Sequence, residues 1–122
     1  MQEKLERMGI YEGMYIIDSS LSEELRKHTI EEIKGNIAKN GGKILVTHEW
    51  GRKKLEYKFK RVGQAGHHND GYYYILFFEA PTLSIRTLWQ EYRLNERLVR
   101  YMTMRVEKAQ ESLEFKALKE EV

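Results

Sequence analysis

The sequence predicts an α+β fold with the element order strand, helix, strand, strand, helix, strand. Three observations support this prediction. Apolar and polar residues alternate strictly from Lys54 to Lys60, which is typical of a half-buried strand. Apolar residues recur at helical spacing between Leu25 and Ile37. Residues 72–78 are apolar or aromatic on both sides, which favours a central strand. With right-handed crossovers, the order predicts a ferredoxin-like split βαβ sandwich, in which two helices cover one face of a four-stranded antiparallel sheet.

The first strand and helix are predicted from local signals. Residues 11–18 form a strand, and the segment from Ser20 to Glu23 has the Ser-x-x-Glu spacing of a capping box, which predicts a helix start. Gly41 and Gly42 predict the helix end, because glycine readily adopts the left-handed conformation of a C-cap. The apolar stripe between these signals consists of Leu25, Ile30, Ile33 and Ile37.

A long second strand, bent in the middle, is predicted at residues 43–61. Its apolar residues occupy even positions before Gly51 and odd positions after it. One extra residue at a β-bulge has this effect, and glycine tolerates the backbone that a bulge requires. The apolar residues are Ile44, Val46 and Trp50 before the change and Leu55, Tyr57 and Phe59 after it. The bend presents three cations where we expect the backbone not to be fully paired: Arg52, Lys53 and Lys54.

The remaining elements follow from glycine, proline and apolar spacing. Residues 62–71 are a glycine-rich connection, residues 72–79 a third strand and residues 99–106 a fourth. Pro81 suits the first turn of the second helix. The apolar residues of that helix are Ile85, Leu88, Trp89 and Tyr92.

The predicted organisation is one domain with two flanking segments. Residues 1–10 are an N-terminal extension, residues 11–106 the ferredoxin-like domain and residues 107–122 a polar C-terminal tail. Two helices can cover only one face of the sheet, although its third strand is apolar on both sides. Something should therefore cover the other face.

Composition and charge narrow the possible functions. The chain of 122 residues is long enough for one core and contains no cysteine, which excludes disulfides and thiolate chemistry. No signal peptide or membrane-spanning window is found, so a cytoplasmic protein is expected. Residues 43–63 carry seven lysines and arginines against two glutamates, and residues 86–108 carry six basic residues against three acidic ones. This segregation of basic charge is compatible with a polyanionic partner. Taken alone, it is more typical of a solvated charged surface.

Catalytic and metal-binding patterns are weak. His67, His68 and Asp70 are candidate metal ligands, but adjacent residues rarely point to one ion, and nearby glycines favour a loop. No Ser/His/Asp grouping, paired carboxylates or phosphate-binding glycine motif is found. The sequence therefore predicts no enzymatic activity, no cofactor and no metal.

Two other classes of function stay open. The segment from Gly71 to Phe77 resembles the central strand of RNA-recognition-motif domains, although Asp70 and Tyr73 depart from that motif. Such a module would read single-stranded RNA through three tyrosines: Tyr15, Tyr72 and Tyr74. The second alternative is a ferredoxin-like small-molecule sensor or dimeric enzyme, in which the open sheet face pairs with itself or encloses a ligand.

A more extensive resemblance covers residues 11–106. Five segments are similar, in order and spacing, to the family of the sixth protein of the bacterial small ribosomal subunit. They are Tyr11-Glu12, Gly41-Gly42, Glu49-Trp50-Gly51-Arg52-Lys53-x-Leu55-x-Tyr57, Phe78-Glu79-Ala80-Pro81 and Leu94-Asn95-Glu96-x-Leu98-x-Arg100-x-Met102. The resemblance implies the fold derived above, no enzymatic activity and binding to the central domain of small-subunit ribosomal RNA. It also implies a heterodimer with the eighteenth protein of that subunit, and we expect a monomer in isolation.

The candidate RNA-binding residues combine the charge pattern with this resemblance. We expect five of them to neutralise phosphates without reading bases: Arg52, Lys53, Lys54, Arg100 and Arg105. Arg52 and Arg100 lie within the family-like motifs, and a guanidinium can form paired hydrogen bonds to phosphate. Trp50 and Tyr57 are expected to support the bend or contact a partner. The chain departs from the family at Glu56-Tyr57-Lys58-Phe59, where Ala-Tyr-Pro-Ile is usual, and residues 62–71 lack the usual basic side chains.

Overall fold

A computed structural model of the chain describes residues 7–59 and 68–111, with side chains described for all of these except residues 55–59 and 68–69. The elements are β1 (Met8–Asp18), α1 (Glu23–Lys39), β2 (Lys43–Phe59), β3 (His68–Pro81), α2 (Ser84–Arg93) and β4 (Leu98–Val106). The strands form one sheet in the order β2-β3-β1-β4, and every neighbouring pair is antiparallel. The predicted ferredoxin-like fold is confirmed. Neither helix within the described residues is long and apolar enough to cross a membrane.

The main core lies between the helices and one face of the sheet. Because side chains alternate along a strand, the odd residues of β1 and the even residues of β3 point toward the helices. The buried side chains of this core include Tyr15, Ile17, Tyr74, Leu76 and Phe78 from the strands and Ile33, Ile37, Leu88 and Tyr92 from the helices. Their burial fixes the helices on the sheet.

The helix α1 begins and ends on specific caps. Ser22 is the N-cap, and its hydroxyl accepts a hydrogen bond of 3.2 Å from the Leu25 amide. The predicted capping box is therefore wrong by two residues, because Ser20 instead donates to Asp18. At the other end, the amides of Gly41 and Gly42 donate to carbonyls of the last turn, and Gly41 has φ +88°. This Schellman geometry confirms the predicted glycine C-cap.

The predicted stripe of α1 is wrong at its first residue. The side chain of Leu25 is exposed, whereas Ile30, Ile33 and Ile37 are buried. Arg26 lies four residues before Ile30 and therefore continues the buried stripe, and its side chain is only 13% exposed. The first turn of α1 thus contacts the sheet through an arginine.

The pairing of β2 with β3 shifts register at three places, and one of them is the predicted bulge. The register shifts between Glu49 and Gly51, and Gly51 has φ +81°, which confirms the predicted bend. A further shift separates Ile44 from Val46, so these two residues pair with β3 residues on opposite faces of the sheet. Beyond Gly51 the strand pairs regularly with β3 as far as Lys54, after which a third register shift follows.

Two predicted boundaries around β3 are wrong. This strand begins at His68, so the last four residues of the predicted 62–71 connection belong to the sheet, while residues 60–67 lie outside the described residues. Pro81 ends β3 instead of starting α2, because β1 extends to Met8, and Met8 pairs with Pro81. The Ser84 hydroxyl then donates to the Pro81 carbonyl at 2.7 Å as α2 begins.

Gly71 provides a direct test of the packing between β1 and β3. A Cβ added there would lie 2.5 Å from Ile16 Cγ2 and 3.1 Å from the Ile17 carbonyl oxygen. We predict that Gly71→Ala lowers the free energy of unfolding by about 1–3 kcal/mol, because a buried β-branched side chain and a strand backbone must both shift. Urea unfolding measures this change.

The matched control is Gly35→Ala in the exposed middle of α1, where an added Cβ meets nothing within 4 Å. Alanine favours a helix over glycine, so this variant should gain about 0.5–1 kcal/mol. A Gly71→Ala variant as stable as the parent would contradict the described register.

Candidate nucleic-acid interface

Four residues of β2 form the feature that we call the basic bend: Gly51, Arg52, Lys53 and Lys54. Arg52, Lys53 and Lys54 pair with Tyr72, Gly71 and Asp70 of β3. Because β2 is an edge strand, β3 is the one strand beside them in the described sheet, which agrees with the expected incomplete pairing of this backbone. The alternation of a strand therefore places Arg52 and Lys54 on the side of the helices and Lys53 on the other side. The basic bend presents positive charge on both faces at one end of the sheet.

The guanidinium of Arg52 is held by an ion pair but faces solvent. Its Nε and Nη2 atoms each lie 2.9 Å from Asp70 Oδ2, and the side chain is 59% exposed. The other oxygen of Asp70 accepts a hydrogen bond of 2.6 Å from Ser19, in the connection before α1. Arg52 is thus oriented before any ligand binds, and a phosphate group would compete with Asp70 for it. The Asp70 carboxylate, a candidate metal ligand in the sequence, is bound by these two side chains.

The two candidate arginines of β4 lie at different ends of the sheet. Arg100 pairs with Ile16, which pairs with Tyr73, and Tyr73 pairs with Gly51. Arg100 therefore shares a row with the basic bend, about 14 Å away across three strand spacings. Arg105 pairs with Tyr11 at the other end, where its guanidinium carbon lies 5.9 Å from the Tyr11 ring centroid. The structure brings Arg100 toward the basic bend and separates Arg105 from it.

The two candidate support residues lie in β2. Trp50 is the extra residue at the register shift beside Gly51 and is half-buried. Tyr57 belongs to the same strand, but its side chain lies outside the described residues. The proposed support of the bend stays a prediction for both.

The three tyrosines of the alternative RNA-recognition module do not form an exposed platform. Tyr15 and Tyr74 are buried on the helix side of the sheet. Tyr15 shares a hydrogen bond of 2.8 Å with the Tyr92 hydroxyl, and burial raises its pKa well above the ordinary value. Tyr72 lies on the same side, with the Arg26 guanidinium over its ring. That alternative is wrong, because base stacking needs accessible rings on the other face.

The face without helices is nevertheless largely covered at its centre. Ile16, Tyr73, Ile75 and Phe77 are each at most 2% exposed. The His48 ring contacts the Phe77 ring edge-on, with centroids 5.8 Å apart, and its Nε2 donates to the Gln110 carbonyl at 2.7 Å. The segment after β4 therefore returns across this face as far as β2. It provides part of the cover that the sequence requires, while Met102 and Met104 stay exposed near the edge.

Glu12 places a carboxyl group on this partly apolar face. It pairs with Phe77 and with Met104, and burial raises its pKa while the nearby His48 acts in the opposite direction. A raised pKa means that the folded state favours the protonated form, so ionisation at neutral pH destabilises the fold.

We predict that Glu12→Gln raises the free energy of unfolding at pH 7 and that its advantage over the parent disappears as pH falls below about 4.5, where both states of the parent are protonated. Denaturant titrations across pH measure the difference. Glu107→Gln, an exposed change of the same charge, is the control. A Glu12→Gln variant that is less stable than the parent at neutral pH would contradict this account.

Several contacts near the basic bend could not be predicted from the sequence. Arg26, Glu49, Tyr74 and Asp70 form contacts that link α1, β2 and β3. The spacing of Arg26 from Ile30 was the one available signal, because it places the arginine on the buried stripe. The contacts of the other three residues carry no sequence signal, because their partners come from other elements of the fold.

Comparisons with known proteins agree with this architecture. A sequence model of the ribosomal protein S6 family matches residues 10–105. The small ribosomal subunit protein bS6 of Protochlamydia amoebophila is 40% identical over 121 residues, covering 99% of each chain. The corresponding protein of Chlamydia caviae is 39% identical over 120 residues, covering 98% of this chain and 100% of the relative.

A crystal structure of a protein with the same name has the same fold. The 30S ribosomal protein S6 of Thermotoga maritima superposes with a TM-score of 0.73 at 29% identity, covering 82% of this chain and 89% of that one. The fold and these similarities define a ribosomal protein of the small subunit. The chain belongs to the ribosomal protein S6 family.

Proposed function

We propose that this protein is a structural component of the bacterial small ribosomal subunit in the cytoplasm, and that it acts by binding small-subunit ribosomal RNA rather than by catalysis. The observation that supports RNA binding most directly is the basic bend. It presents three adjacent cations at one end of the sheet, and one of them is oriented in advance by Asp70. Family membership makes the central domain of that RNA the expected target.

Phosphate contacts at this end of the sheet are the proposed binding mode. Arg52 and Lys54 approach the RNA from the helix side, and Lys53 and Arg100 from the other side. Cations that span both faces can follow a backbone along the edge of the sheet without reading base edges. Arg105 would provide a separate contact, because it lies at the other end.

The proposed protein partner is the eighteenth small-subunit protein, bound as a heterodimer. Met102 and Met104 are 41% and 52% exposed beside the covered centre of the sheet face. Methionines on an accessible face adapt readily to an apolar partner. We propose that residues 11–106 form the binding domain and that the tail at 107–122 adds to this contact, with Trp50 and Tyr57 supporting the bend.

Replacing the three cations of the basic bend tests the RNA contact. In an Arg52→Gln/Lys53→Gln/Lys54→Gln variant, association with the partner and an rRNA fragment should weaken. Its salt dependence should fall by roughly 0.7 to 0.9 in log-log slope per lost phosphate contact. The fold should stay intact, because loss of the exposed Arg52 ion pair costs about 1 kcal/mol or less.

The control for this variant is Lys39→Gln/Arg86→Gln/Arg93→Gln, which removes the same charge from exposed positions away from the bend. Binding titrations at several salt concentrations, alongside thermal melts, compare the two. If both triple variants lower the slope equally, or neither does, the basic bend is not the RNA contact.

The isolated protein should be a monomer with little affinity for the rRNA fragment and should gain affinity when the partner is added. The physical reason is a net charge of only +2, which gives weak attraction to RNA unless a second protein completes the surface. Analytical ultracentrifugation and titrations with and without the partner measure both properties. Tight binding at physiological salt by the protein alone would contradict the proposed assembly.

A further inference from the structure

The buried stripe of α1 ends on a charged side chain that the proposed phosphate contacts do not use. Arg26 lies in register with the buried residues Ile30, Ile33 and Ile37, and its side chain is only 13% exposed. An arginine in such a position must have partners, because a buried charge without them is costly. Those partners lie on β3, next to the basic bend.

Arg26 contacts two tyrosines at once. Its Nε donates a hydrogen bond of 3.1 Å to the Tyr74 hydroxyl, and its guanidinium carbon lies 3.9 Å from the Tyr72 ring centroid. The flat guanidinium allows both contacts, whereas the ammonium of lysine is a single point of charge. Burial opposes the charge, but the contacts with Tyr74 and Tyr72 and the nearby Glu23 leave the pKa of Arg26 raised.

These tyrosines connect Arg26 to both sides of the bulge. The Tyr74 hydroxyl donates to Glu49 Oε2 at 3.1 Å, and Glu49 is the last regularly paired residue before the register shift. Tyr72 pairs with Arg52, the first residue after Gly51. A single side chain of α1 therefore reaches, through one tyrosine each, the strand segments that enter and leave the bend.

We propose that Arg26 is a positioning residue, which fixes the direction of the basic bend and thereby the geometry with which its cations meet phosphate. The inference rests on the proposed function, since it concerns the same RNA contact. Arg26 itself is not assigned a phosphate, because its Nε is bonded and its guanidinium lies over Tyr72. Its effect on affinity comes from preorganisation, because cations already held in place lose less conformational freedom on binding.

The test uses Arg26→Lys, which keeps the charge but removes the Nε donor and the flat stacking group. Tyr74→Phe removes the acceptor of that hydrogen bond and the link to Glu49. Each should speed amide exchange at residues 49–53. Each should also weaken association with the partner and rRNA fragment by about three- to tenfold, the loss expected for one such interaction.

The salt dependence should not change in either variant, because no phosphate contact is lost. The double variant Arg26→Lys/Tyr74→Phe should lose less affinity than the sum of the two single losses, because both changes remove the Arg26–Tyr74 hydrogen bond. Lys27→Arg, an equally conservative change at an exposed neighbour on α1, is the control and should leave exchange and binding unchanged.

Three results would overturn the proposal. The first is unchanged exchange at residues 49–53 in both single variants. The second is faster exchange with unchanged association. The third is a lower salt slope in Arg26→Gln while Arg26→Lys binds normally, which would show a direct phosphate contact. If Arg26→Lys fails to fold, Tyr74→Phe alone decides the first two results.

A different result would show that the proposed function is wrong while leaving the role of Arg26 open to test. In that case the triple glutamine variant of the basic bend keeps the parent salt slope, whereas exchange at residues 49–53 still reports whether Arg26 holds the bend.

Discussion

The backbone of Gly51 is the constraint on which the geometry of the basic bend depends. Its φ of +81° turns β2 at the point where the register shifts against β3. A residue with a side chain rarely adopts this conformation, at a cost of about 1–2 kcal/mol. Beyond the bulge, pairing resumes with the phase reversed, which decides that Arg52 and Lys54 lie on the helix face and Lys53 on the other face. Arg26 and Asp70 then hold the strand and the Arg52 guanidinium in place.

The two faces of the sheet are covered in different ways. The helix face forms the main core, and the other face keeps apolar side chains exposed. On the helix face, large side chains of the sheet pack against those of both helices. The other face is buried at its centre, where His48 and the segment reaching Gln110 lie, but it keeps exposed methionines near β4. A face that is partly covered by its own chain is protected from nonspecific pairing and still has apolar surface to offer a partner. The basic bend lies at the end of the sheet, away from this surface's exposed edge.

Local sequence signals predict the order of the helices and strands. Contacts between distant elements determine the register shift between Ile44 and Val46 and the partners of the basic side chains. The element order, the glycine C-cap at Gly41 and the bulge at Gly51 all follow from backbone chemistry that a sequence displays. The bulge between Ile44 and Val46 contains no glycine, so nothing in the composition marks it. The site was predicted as a row of cations, and the bend does carry them. Their anchors could not be predicted, because Asp70, Tyr74 and Glu49 become partners only after three separate elements come together.

The most direct test of the account compares two mirror-image residues at position 51. The space around an added Cβ at Gly51 is open, so Gly51→Ala is disfavoured by backbone conformation and not by packing. D-alanine, by symmetry, favours positive φ and adds the same atoms. Semisynthesis gives both proteins, and the measurement is their affinity for the partner and rRNA fragment at one salt concentration. The account predicts that the D-alanine protein binds like the parent and that the L-alanine protein binds more weakly. Equal affinities for the two would contradict the claim that the bend at Gly51 orients the RNA-binding cations.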